Sequence, residues 1–178
     1  MFTLAPFVAA VLALVAMIAC VTDIRSRRIP NWLTAIGILA GFSLNIFLYG
    51  LPGLKNASLG VGIALLVYFP LFCVKGMGAG DVKLMAAIGA LVGPGNWLRI
   101  FIFTALIGGA IALALILYRG FLNRTLHNVG HILMSPFRGR LPYQDNPELD
   151  VTSGAGLSLP HGAVIALGTF FFVFVSLI

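Results

Sequence analysis

An all-α, polytopic membrane protein with about six transmembrane helices is the fold the sequence predicts, and three observations predict it. Apolar residues make up 60% of the 178-residue chain and charged residues 9%, against roughly 25% charged in soluble domains. Mean hydropathy is +1.06. The apolar residues are gathered in runs of about 20, the length at which a helix crosses a hydrocarbon core about 30 Å thick. Spans of that length fill the chain, so a single integral-membrane domain over residues 1–178 is expected.

Taken in order, the runs place spans near residues 4–22, 32–50, 58–74, 82–95, 97–118 and 160–178, separated by polar or Gly/Pro breaks. The first opens without a basic residue and is followed by Arg25-Ser26-Arg27-Arg28, the reverse of a cleaved signal peptide, so it is expected to persist as a span. Pro30 disfavours helix at Ile29 and suits the first turn of the next helix, which makes the first link short and the first two spans a hairpin. Span three runs into Gly76-Met77-Gly78-Ala79-Gly80, where alternating glycines permit backbone conformations and close approaches that bulkier residues block. The fourth run is short. From Asp81 to Gly93 a helix rises on the order of 20 Å, so it must start below the membrane surface, continue through Gly95-Asn96, or lie in thinned bilayer.

Orientation follows from the basic residues. Alternate links carry Arg25, Arg27, Arg28, Lys75, Lys83, Arg119, Arg124, Arg138 and Arg140 on one side, against Lys55 and Arg99 on the other. The first set is placed in the cytoplasm, with both termini outside. The net charge of +6 is spread over several links without interleaved base-stacking aromatics, so no nucleic acid is expected as partner; topology and anionic lipid headgroups account for it. Cys20 and Cys73 form neither a redox pair nor a zinc spacing and read as small buried residues.

Two acids stand apart. Asp23 and Asp81 are the carboxylates in or beside apolar runs, whereas Asp145, Glu148 and Asp150 share the polar stretch Leu141–Asp150. That stretch reads as a solvated loop, or as an acidic patch able to attract a basic peptide. An ionisable group at membrane depth costs about 2.5–3.5 kcal/mol on insertion scales, and so points to function. Asp23 closes span one and Asp81 opens span four, both at the cytoplasmic face, where they can share one site. The glycines before Asp81 fit neither phosphate-binding pattern. An N-capping Asp81 after a helix break would explain that segment taken alone; the second acid on the same face favours chemistry.

Asp23-Ile24-Arg25 with Ile29-Pro30-Asn31, and Gly78-Ala79-Gly80-Asp81-Val82-Lys83, resemble the two signatures of the type IV prepilin peptidases, membrane aspartyl proteases of the Gly-x-Gly-Asp class. Leu159-Pro160-His161-Gly162-Ala163 resembles that family's last-span motif, with His161 standing where an aromatic is expected. The resemblance covers essentially the whole chain. Without a cytoplasmic domain or four-cysteine zinc motif, it is similar to the short form associated with tight-adherence (Flp-type) pili. The resemblance implies a bacterial inner-membrane enzyme that cleaves the leader from a prepilin just after a glycine, at the cytoplasmic side. It implies Asp23 and Asp81 as the catalytic pair; methylation is not carried over, since no residue matches a methyl-donor site.

The chemistry asks for two carboxyls, one ionised to take a proton from water and one neutral to donate to the scissile carbonyl. No cofactor or metal is expected; His127 and His131, four residues apart, have no third ligand nearby. Arg25 is a candidate to orient substrate or carboxylate, and Gly78 and Gly80 are candidates to shape the second site. Lys83, about 200° around the helix from Asp81, is expected to point away and snorkel. His161 faces either the site or the headgroups. Two other classes compete: a transporter or channel subunit using the acids for cations or protons, which would place a relay across the bilayer, and a non-catalytic assembly subunit.

Overall fold

Four helices carry the described part of the chain: α1 (Pro6–Ser26), α2 (Asn31–Cys73), α3 (Ala79–Arg119) and α4 (His161–Leu177). The structure, a computed structural model, describes residues 4–119 and 160–177. The predicted all-helical class is observed. α1, α2 and α3 are each long and apolar enough to cross a membrane, and His161–Ser176 of α4 is a shorter apolar helix.

The number of helices differs from the six expected. Spans 32–50 and 58–74 are parts of the single helix α2, and spans 82–95 and 97–118 are parts of α3. The reason lies in one glycine in each. Gly50 adopts φ 63°, ψ −139° and Gly93 φ 73°, ψ 176°, conformations open to a residue without Cβ. In a straight helix Asn45 and Gly53 would lie about 12 Å apart along the axis, yet a Cβ on Gly53 would strike the Asn45 carbonyl oxygen. α2 therefore doubles back at Gly50. α3 does the same at Gly93-Pro94: the Trp97 indole Nε1 donates to the Met85 carbonyl at 3.1 Å, a reach that a straight helix forbids. The Gly/Pro and polar residues around these points mark the turns, but helix resumes directly after each single non-helical glycine. The second reversal also decides the fate of the short fourth run, which stops at Gly93 instead of continuing through Gly95-Asn96.

The first arm of α3 is the axis of the molecule. Leu84, Met85, Ala87, Ile88 and Ala90 are fully buried, as are Trp97 and Ile100 on the returning arm. Burial on all sides means partners on all sides: both arms of α2 press on one turn of it, with Gly41 against Ala90 and Gly60 against Gly89. Glycines at such crossings let two backbones approach closely, which replaces the hydrophobic drive that lipid does not supply. Outward faces carry Phe7, Leu14, Phe47, Leu51, Leu66 and Leu106, all exposed, as suits contact with hydrocarbon.

Asn45 joins the two hairpins. Buried at 3% exposure, its amide nitrogen Nδ2 lies 2.9 Å from the Gly41 carbonyl, 3.0 Å from that of Ala90 and 3.1 Å from that of Leu91. The last two belong to carbonyls that Gly93 and Pro94 deprive of helical donors. Asn45→Leu is expected to cost about 1–3 kcal/mol, read as a lowered midpoint of thermal unfolding in detergent; an unchanged midpoint would show that those carbonyls find other donors.

Candidate active site

Asp23 lies one turn before the end of α1, which stops because Arg27 takes the left-handed conformation (φ 50°) while its N–H donates to the Asp23 carbonyl at 2.9 Å. Pro30 then caps α2 from extended backbone at φ −64°, so the link is as short as predicted. Although near a helix end, Asp23 is only 7% exposed. Its Oδ2 accepts the Ala163 N–H at 3.2 Å, a donor shared with the Pro160 carbonyl at 3.2 Å, which places the carboxyl at the first turn of α4. The close fit is made by Gly162: a Cβ there would lie 3.0 Å from Asp23 Oδ2 and 3.0 Å from Ile29 Cδ1.

Asp81 occupies the first turn of α3, as its place after the glycine run predicts. The Gly78 carbonyl accepts N–H bonds from Asp81 at 3.2 Å and Val82 at 3.4 Å and so starts the helix. Gly78 and Gly80 act by leaving room. A Cβ on Gly78 would be 3.3 Å from Asp81 Oδ2, and one on Gly80 would be 3.2 Å from Ile29 Cβ. Neither has a positive φ; the left-handed residue in this link is Lys75, at φ 56°.

Ile29 thus packs against Gly80 on one side and Gly162 on the other, drawing together the links that carry the two acids. Asp23 and Asp81 come close enough for their charges to interact. Of the other candidates, Arg25 is exposed in the last turn of α1. Lys83 is exposed but not free: its Nζ donates to Asn31 Oδ1 at 2.9 Å, fastening the start of α3 to the start of α2. Simple snorkelling is therefore corrected to a tether. Cys20 is half-buried and Cys73 exposed, so the second is not the buried residue expected. His127, His131 and the acids of Leu141–Asp150 lie outside the described residues.

Two residues of the site, Tyr68 and Thr104, went unremarked in the sequence. Tyr68, on the returning arm of α2, is 2% exposed and its ring stands edge-on to Trp97 and Phe101 at 6.1 and 5.9 Å. It lies within electrostatic reach of Asp81. A lone phenol inside an apolar run was the available signal, since a buried Tyr hydroxyl ordinarily has a polar neighbour. Thr104 carried no signal, being ordinary in an apolar helix; Gly162 stood in the last-span motif, which does not disclose its packing on Asp23 and Ile29. His161, left between site and headgroups, lies within electrostatic reach of Asp23 and shares with Tyr68 the wall of a cavity of about 360 Å³.

Two carboxyls carried by separate helices, on links that Ile29 draws together, form the candidate site of an all-helical protein with three helices long and apolar enough to cross a membrane. The model of the type IV leader peptidase family matches residues 10–113, a stretch that contains both acids, and the chain belongs to that family of peptidases. No curated protein matches it, and no solved structure does.

Proposed function

We propose that the chain is a membrane aspartyl endopeptidase that removes the leader peptide from type IV (Flp-type) prepilins at the cytoplasmic face, with Asp23 and Asp81 activating water. The approach of these two carboxyls across the Ile29 contact carries the reading. One carboxylate takes a proton from water as the oxygen bonds to the scissile carbonyl carbon, while the protonated partner donates to the carbonyl oxygen. Collapse of the tetrahedral species breaks the C–N bond, with a proton passing to the leaving amine. Neither a metal nor a covalent nucleophile enters that sequence. Gly78 and Gly80 support it by leaving space beside Asp81 and Ile29, and Lys83 by holding the start of α3; Arg25, exposed beside Asp23, is suited to meeting substrate.

The proposed setting is a bacterial inner membrane, and the long apolar helices support a membrane location. The start of α1 and the end of α4 lie away from the acids, which favours both termini outside. The acids then fall at the end bearing Arg25, Arg27, Arg28, Lys75 and Lys83, opposite the Gly50 and Gly93 reversals with Lys55 and Arg99, which favours a cytoplasmic site. Co-expression of the protein with a C-terminally tagged pilin precursor tests the function. The precursor is expected to be shortened at its N-terminal leader, with the new terminus following a glycine. Full-length precursor persisting in membranes that contain the folded protein would overturn the assignment.

A further inference from the structure

The site gathers one titratable side chain from each helix. Asp23 and Asp81 come from α1 and α3, Tyr68 from the returning arm of α2, and His161 is the first residue of α4. His161 is held there by tight local packing. A Cβ on Gly162 would lie 3.0 Å from Asp23 Oδ2, and the next N–H, that of Ala163, donates to the same oxygen at 3.2 Å. The imidazole is thus anchored within two residues of a contact to the Asp23 carboxyl, is half-buried, and lies within electrostatic reach of that carboxyl. It also walls the cavity shared with Tyr68, which lies within reach of Asp81. Met77 lines the same cavity one residue before Gly78, where a Cβ would be 3.3 Å from Asp81 Oδ2, so the cavity borders the turn beside each acid.

Two carboxyls that share one proton need something to decide which of them carries it. The backbone does not decide. Asp23 meets the Ala163 N–H, and Asp81 meets that of Gly78. The side chains differ: beside Asp81 stands a phenol, uncharged at neutral pH, whereas beside Asp23 stands an imidazole, which can carry a positive charge. A cation favours the ionised form of the nearer carboxyl. Burial opposes a charge on the imidazole and the Asp23 carboxylate favours one, so the two groups ionise together. Among the described residues, every other member of the cavity wall is uncharged. Of the neighbouring cations, Arg25 in the last turn of α1 is exposed and screened by water, and Lys83 of α3 is tied to Asn31.

From this placement we infer that His161 is a positioning residue of the acid pair: its imidazolium draws the negative charge onto Asp23 and leaves the shared proton on Asp81, beside Tyr68. This rests on the peptidase reading and gives the pair an order. Asp23 is the carboxylate that takes a proton from water, and Asp81 is the acid that donates to the scissile carbonyl. The sign of the pH effect follows. The acid limb of the rate profile records ionisation of the first carboxyl. A cation beside Asp23 lets that ionisation occur at lower pH, so removing the cation moves the limb to higher pH.

His161→Phe keeps a ring in the cavity wall and His161→Gln keeps a polar group, but neither carries charge. With the full-length protein in proteoliposomes, kcat/KM for the pilin precursor is followed from about pH 4 to about pH 9. Both variants should move the acid limb up by about one pH unit, which is about a tenfold loss of kcat/KM at a fixed pH on that limb. A second measurement needs no substrate and no His161 variant. Replacing His127 and His131 by Gln leaves His161 as the single histidine, and its imidazole is titrated by NMR with and without Asp23→Asn. Coupling is reciprocal, so loss of the carboxylate should lower the imidazole midpoint by about as much as loss of the imidazole raises the limb. A midpoint unmoved by Asp23→Asn sinks the role whatever the protein cleaves. Cleavage whose acid limb stays in place in His161→Phe also sinks it, and leaves the peptidase reading standing. Wild type that cleaves precursor at no pH sinks the peptidase reading, and the role with it.

Discussion

Asp23→Asn and Asp81→Asn should each reduce precursor cleavage by about 10³-fold or more while leaving the protein folded. The two acids are not equivalent structurally, which makes the paired result informative. Asp23 is buried with Oδ2 on the Ala163 N–H; an asparagine keeps an oxygen for that bond, so the junction between α1 and α4 should survive. Asp81 opens the buried arm of α3 through backbone bonds to Gly78, which do not depend on its side chain. Unfolding midpoints of both variants should therefore stay within a few degrees of wild type. The sharper result is the double variant. If the carboxyls act as one unit, removing the second after the first costs almost nothing further, because the shared step is already lost. Two independent structural roles would instead multiply the defects. Cleavage above about a tenth of the wild-type rate in either single variant, or multiplicative losses in the double, would remove the two-aspartate mechanism.

What the sequence disclosed and what it hid follow from how each feature is encoded. Asp23 and Asp81 were legible because a charge beside an apolar run is expensive and has few innocent explanations. The short link before α2 was legible because Pro30 restricts both itself and Ile29. The helix count was legible only in part: Pro52, Lys55 and Asn56, and Pro94 and Asn96, mark where the chain turns, but not that helix resumes at once after Gly50 and Gly93. The neighbours of the acids were legible only in part. Gly78 and Gly80 stood out through their spacing, but their service is room for Asp81 and Ile29, not unusual backbone angles. Ile29 and Gly162 act through contacts made across long stretches of chain, and no local pattern announces those. Lys83 shows how periodicity misleads: its angle from Asp81 on the helix says nothing about Asn31, which arrives from another helix.

Gly60→Val should be among the most destabilising single substitutions in the chain, by about 3 kcal/mol or more. A Cβ at Gly60 would land on the Gly89 carbonyl oxygen, and one at Gly89 on that of Gly60, so the two helices touch through backbone with no flexible side chain to yield. Gly41 repeats the contact one step along, where an added Cβ would lie 2.6 Å from the Ala90 carbonyl carbon. The first arm of α3 is thus gripped by both arms of α2 at a single level, and a methyl group at either point must separate them. Asp81 is borne on that arm about two turns away, so the displacement reaches the carboxyl and cleavage should fall along with stability. Gly62→Val, two residues from Gly60 but with nothing within 4 Å, separates this effect from the general cost of a β-branched residue in a helix. Differential scanning fluorimetry in detergent should show a large drop for Gly60→Val and little for Gly62→Val. Equal midpoints would mean that α2 and α3 are not in backbone contact at Gly89, and the placement of Asp81 opposite Asp23 would lose the packing on which it depends.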